Sequence, residues 1–114
     1  MRKLLALLIL IATGGANAAT LTLTWEHDPA DGSGTTEYRL YSAAPGQEFN
    51  EASFIPVAPA ASGTVHQTTI TAPKADMSYA VTAANATDES EYSNTVTYVY
   101  KKPPVNLNFT FRKK

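Results

Sequence analysis

The sequence predicts an all-β fold, a sandwich of two packed sheets, and three observations carry this. Short runs alternate β-forming residues with a period of two. Clusters of Gly, Pro, Asn, Asp and Ser separate those runs. Outside the first 18 residues, no run carries a 3.6-residue apolar pattern, and no internal repeat is visible.

The elements follow in order. Residues 20–25 (TLTLTW) form a strand with Leu21, Leu23 and Trp25 on one face. Residues 28–34 (DPADGSG) are a turn-rich loop. Residues 38–41 (YRLY) start a second strand, with Tyr38 and Leu40 on one face and Arg39 and Tyr41 on the other. Residues 53–57 (SFIPV) are a short strand whose Pro56 suits a sheet edge, because proline cannot donate to a ladder. Residues 64–71 (TVHQTTIT) alternate again, but Val65 and Ile70 fall in different phases and leave the register open. Residues 78–84 (SYAVTAA) place Tyr79, Val81 and Ala83 on one face, residues 85–91 (NATDESE) turn, and residues 94–100 (NTVTYVY) form the last regular strand. The expected core is Leu23, Trp25, Tyr38, Leu40, Tyr79 and Val81.

Three segments divide the chain. Residues 1–18 read as a secretory signal peptide: Arg2 and Lys3 give positive charge, residues 4–12 (LLALLILIA) are apolar, and Ala16 and Ala18 are the small residues a signal peptidase reads. The apolar run is shorter than the roughly 20 residues a membrane span needs, so no stable membrane insertion is expected after cleavage. Residues 19–100 are the domain. Residues 101–114 are a Pro-linked tail in which Val105, Leu107, Phe109 and Phe111 alternate with Asn106, Asn108 and Thr110, a strand pattern followed by Arg112, Lys113 and Lys114. The signal implies a secreted product, periplasmic or extracellular, of a bacterium or a bacterial virus.

Composition excludes several functions. The 114 residues have 44% hydrophobic and 17% charged content and a net charge of -1, so no global basic field attracts nucleic acid. Cysteine is absent, which removes disulfides, thiolate metal sites and a cysteine nucleophile. His27 lies beside Glu26 and Asp28, but successive strand residues point to opposite faces, so no metal site is expected there. Both His27 and His66 are expected at the surface. No G-x-S-x-G elbow, Ser–His pairing or Gly-rich phosphate loop occurs. Asp28 and Asp31 do not meet the EF-hand pattern, so neither calcium nor any other cofactor is expected. Residues 85–87 and 108–110 match glycosylation acceptors, which matters only in a eukaryotic secretory pathway. An enzyme is not expected.

Residues 21–25 (LTLTW), 38–41 (YRLY), 79–85 (YAVTAAN) and 89–96 (ESEYSNTV) resemble strand B, strand C and the F–G region of a fibronectin type III domain, in its compact bacterial and phage form. The resemblance spans residues 21–100 and implies an immunoglobulin-like sandwich. Two departures stand out. Pro73 occupies the position where the family places a Leu beneath the strand F Tyr. Strand A is missing or replaced, because the mature chain would enter strand B at once. The tail resembles the missing linker and strand A.

The expected function is a secreted, non-catalytic adhesion or binding module for a protein or glycan. The alternative is an assembly subunit using its open strand edge and its tail. Tyr41, Tyr92, Tyr98 and Tyr100 are the candidate interaction residues on the domain, since tyrosine suits both contact and hydrogen bonding. Leu107, Phe109 and Phe111 are the tail candidates: residues 105–111 either pack in cis against an edge strand, self-associate by donation in trans to a second copy, or stay disordered or bound to a partner. The loop end carrying Asp28, Asp31, Asp88, Glu89 and Glu91 is acidic, which favours a cationic or neutral partner there.

Overall fold

A computed structural model describes residues 9–13, 20–28 and 34–100. The described residues form seven strands and no helix: β1 Ile9–Thr13, β2 Thr20–Glu26, β3 Glu37–Ala43, β4 Ile55–Val57, β5 Val65–Thr71, β6 Met77–Ala84 and β7 Val96–Tyr98. Consequently no described helix is long and apolar enough to cross a membrane. Two antiparallel sheets pack face to face, one ordered β1-β2-β5 and the other β4-β3-β6-β7. The interior of the expected 28–34 loop and the whole 101–114 tail, with Leu107, Phe109 and Phe111, lie outside the described residues.

The alternation in β2 buries Leu21, Leu23 and Trp25 and turns its threonines outward. β5 pairs with it along its whole length, and this settles the open register. Trp25 faces His66, Leu23 faces Thr68 and Leu21 faces Ile70, so Val65 is the residue turned out. From the opposite sheet Tyr38, Leu40, Tyr79, Val81, Ala83 and Tyr98 close the core. Trp25 and Tyr38 meet edge to face at 5.5 Å between ring centres.

β6 is covered on both faces, and its outward residues are small: Ser78, Ala80, Thr82 and Ala84. That lets the following segment lie alongside it. Ser90 and Ser93 each donate a backbone N–H to β6, to the carbonyls of Ala83 and Val81 at 2.8 and 2.9 Å. Their hydroxyls accept the N–H groups of the same two residues at 2.9 Å. These serines replace a regular ladder, so β7 begins only at Val96, later than alternation alone suggests. Pro45 and Gly46 turn the chain after β3, with Gln47 N–H donating to Ala44 C=O at 3.0 Å. Gly46 sits at φ 84°, the left-handed position that this turn requires after a proline. Pro56 lies on the edge strand β4, opposite Arg39.

One element differs from expectation. The sequence reading leaves the position before β2 without a strand, yet Ile9–Thr13 occupies it, antiparallel to β2 with Leu10 beside Trp25 and Ala12 beside Leu23. Leu10 is buried in the core, whereas Ile9 and Ile11 point outward and are 59% and 55% exposed. The reason is chemical: an apolar run with β-branched residues satisfies a half-buried strand wherever a core edge is open. Its outer edge is closed by Asn94, whose side chain accepts the Leu10 N–H at 2.7 Å and donates to the Leu10 C=O at 3.1 Å.

Candidate functional site: an aromatic shelf on the four-stranded sheet

Arg39 and Tyr41 project from the outer face of β3, opposite Thr82 and Ala80 of β6. Outward residues of a sheet are normally exposed, but Tyr41 is only 1% exposed. The segment between β3 and β4 folds back over it and brings Phe49 and Phe54. Tyr92 arrives from the segment before β7 and stands edge-on to Tyr41 at 5.1 Å. Phe49 lies 5.1 Å from Tyr92, and Phe54 lies 5.6 Å from Tyr41. The Arg39 guanidinium sits 4.6 Å above the Phe54 ring, a cation–π contact. Of these rings Tyr92 is the most open, at 39% exposure. The result is a shelf: a buried tyrosine floor, with three aromatic edges and an arginine at its rim.

Glu89 anchors the shelf. Its carboxylate accepts a hydrogen bond from the Tyr41 hydroxyl, one from Thr82 Oγ1 at 2.7 Å and one from Arg39 at 3.2 Å. Arg39 also donates its Nε–H to Glu37 at 2.6 Å, and that bond is the main reason its proton is held more tightly than usual. Burial pushes the Tyr41 phenol above its ordinary range, with the bond to Glu89 adding to it. Burial likewise raises Tyr92, helped by Glu51 and Glu89, and raises Tyr79.

A phenol whose folded pKa lies above the unfolded 10.0 contributes stability that is complete below pH 10 and is lost as the pH rises through the folded value. We expect the urea midpoint to fall between pH 9 and pH 11.5, with tyrosinate absorbance at 295 nm appearing together with unfolding. Tyr41→Phe should flatten that fall. Equal midpoints across this range would refute the assignment.

The other expected interaction residues are placed differently. Tyr98 is buried and faces the core, Tyr100 is half-buried against it, and neither Tyr41 nor Tyr98 presents an open ring. Tyr92 is the one of the four with an exposed face. Glu89, expected in a solvated acidic loop, is turned back onto the sheet. The shelf residues that sequence reasoning missed are Arg39, Phe49 and Phe54, and Glu89 was assigned to the acidic loop end instead. Two phenylalanines in an otherwise polar segment, and an Arg in phase with Tyr41, were the available signal.

The histidines also correct an expectation: both are buried, His66 at 1% exposure. Tyr38 brings its hydroxyl into the core and must be satisfied there. It lies 2.8 Å from His27 Nδ1 and 3.0 Å from His66 Nε2. His66 Nδ1 accepts the Ala60 N–H at 2.9 Å, so its proton sits on Nε2, which donates to the His27 C=O at 2.8 Å. This polar knot ties β2, β3 and β5 together. Among the described residues no group of three His, Asp or Glu converges as a metal site would require. No family model and no curated protein matches the chain.

Proposed function

We propose that the chain is a secreted, non-catalytic binding module of fibronectin type III type that recognises a protein or glycan at the cell envelope or outside the cell. The observation that carries the binding reading is the shelf of Phe49, Phe54 and Tyr92, with Arg39 at its rim. Exposed aromatic edges beside a guanidinium suit sugar faces and polar protein surfaces equally. The family reading is supported by position: β2, β3, β6 and β7 fall on the segments that resemble strands B, C, F and G. Secretion is supported by the charged, apolar and small-residue order of residues 1–18.

The test is direct. Binding of the chain starting at residue 19 to a glycan array and to isolated envelope fractions should fall about tenfold in Tyr92→Ala, as expected for an aromatic anchor worth over 1 kcal/mol. Phe54→Ala should weaken it similarly. Wild-type binding by both variants would remove the shelf from consideration.

A second reading, an assembly subunit, is favoured by a separate observation. The β2 edge is closed by β1, a strand drawn from within residues 1–18 and gripped only through its backbone by Asn94.

A further inference from the structure

β1 is an unusual edge strand. Natural edges carry charge or proline to discourage pairing, but Ile9–Thr13 is uncharged and apolar on both faces. Its outward Ile9 and Ile11, together with Val65, line an open apolar depression beside Thr24 and Glu26. Such residues suit an export signal better than a solvent-facing strand. If residues 1–18 are removed, three things lose their partners at once: the free edge of β2, the core position filled by Leu10, and the Asn94 amide that holds the Leu10 backbone. Together they amount to a preformed slot for an extended strand, since a donor–acceptor amide beside a free sheet edge recognises backbone whatever its sequence.

The geometry points to the occupant: residues 105–111 of a second copy of this chain. The inference rests on the export reading of residues 1–18. Placing Leu107 at the Leu10 position puts Thr110 where Thr13 was and Phe109 over the half-buried Ala12 site. It also puts Asn106 and Asn108 in place of Ile9 and Ile11, which are 59% and 55% exposed. The tail keeps the inward leucine and exchanges the exposed isoleucines for amides. The one larger side chain it brings is Phe109, at the half-buried Ala12 site, which has to open to receive it.

Polarity selects a second copy over the chain's own tail. β7 ends with Tyr98 opposite Met77, the first residue of β6. β5 ends at Thr71 just before that point, and Thr71 pairs with Thr20 at the start of β2. The chain thus leaves the sandwich at the end where β1 finishes. A tail turning straight back would run parallel to β2, whereas β1 is antiparallel to it. A tail arriving from another molecule enters at the opposite end with the correct direction. Each copy then donates one strand and accepts one, a head-to-tail contact that does not close and so propagates.

The experiment exports the full 114-residue chain to a bacterial periplasm and reads the product's N-terminus by mass and its oligomeric state by light scattering. The same preparation is made with residues 103–114 deleted, and a synthetic peptide of residues 103–114 is titrated into that shortened chain. The expected results are a product starting at Ala19, oligomers that grow with concentration, and a monomeric shortened chain that binds the peptide. Asn94→Ala should weaken the peptide about tenfold, through loss of two backbone hydrogen bonds. If the shortened chain is unfolded alone, recovery of its β-sheet circular dichroism on adding peptide supports the exchange equally. A product that starts at Ala19 and stays monomeric overturns exchange between copies while leaving export intact. A shortened chain that neither binds the peptide nor refolds with it does the same. A product that retains residues 1–18 overturns the export reading and the exchange together.

Discussion

Replacing His66 with leucine should lower the stability of the domain by about 2–4 kcal/mol, although leucine is apolar and fits a core by size. The loss comes from what the imidazole satisfies. Ala60 N–H loses its acceptor, the His27 carbonyl loses its donor, and the Tyr38 hydroxyl loses one of its neighbours. Partial desolvation of each group costs about 1–3 kcal/mol, and the three are coupled, so their sum is an upper bound. Tyr38→Phe in the same background should not restore the loss, because the hydroxyl keeps its 2.8 Å contact with His27 Nδ1 and its removal takes that contact away. Urea denaturation of the two single variants and the double variant measures this. A His66→Leu variant within 0.5 kcal/mol of wild type would mean the knot contributes nothing.

Glu89→Ala should cost about 2–4 kcal/mol and also dismantle the shelf. Tyr41 and Thr82 are each 1% exposed and both donate to this carboxylate, so its removal strands two buried hydroxyls. Arg39 keeps Glu37 but loses Glu89, and so is held on one side only. Glu89→Gln should fall between wild type and alanine, since the amide retains a single oxygen acceptor. Chemical denaturation gives the stability. Tyrosine fluorescence and binding to the same targets report whether Phe49, Phe54 and Tyr92 stay in place. A destabilised variant that binds normally would separate the carboxylate's structural role from the shelf.

Local alternation made much of the sandwich legible. Leu21, Leu23 and Trp25 needed no partner strand to be assigned to the core, because side-chain period alone separates the two faces of β2. His66 was not legible in that way. Its burial depends on facing Trp25 across a pairing with β5, and nothing near residue 66 encodes that register. Tyr41 was misleading for a different reason. Its phase correctly put it on the outer face, but the phenylalanines that cover it come from a connection whose path no periodicity describes. β1 was hidden because an export signal and a buried strand ask for the same apolar residues. Asn94, one asparagine among several, carried no sign that it would hold another strand's backbone.

The Leu10–Asn94 contact also bears on timing. The two residues are 84 positions apart, so the bond between them forms only after nearly the whole chain is made. Sandwiches held by such distant pairings fold in milliseconds to seconds, slowly beside helical domains. If residues 1–18 are the export signal proposed above, this slowness is useful. A chain that folded quickly would tuck Ile9–Thr13 into its own sheet and hide the segment that such a signal would present for export. On the proposed export reading of residues 1–18, folding and secretion would compete for the same five residues, and late closure of this edge would leave them within reach of transport first.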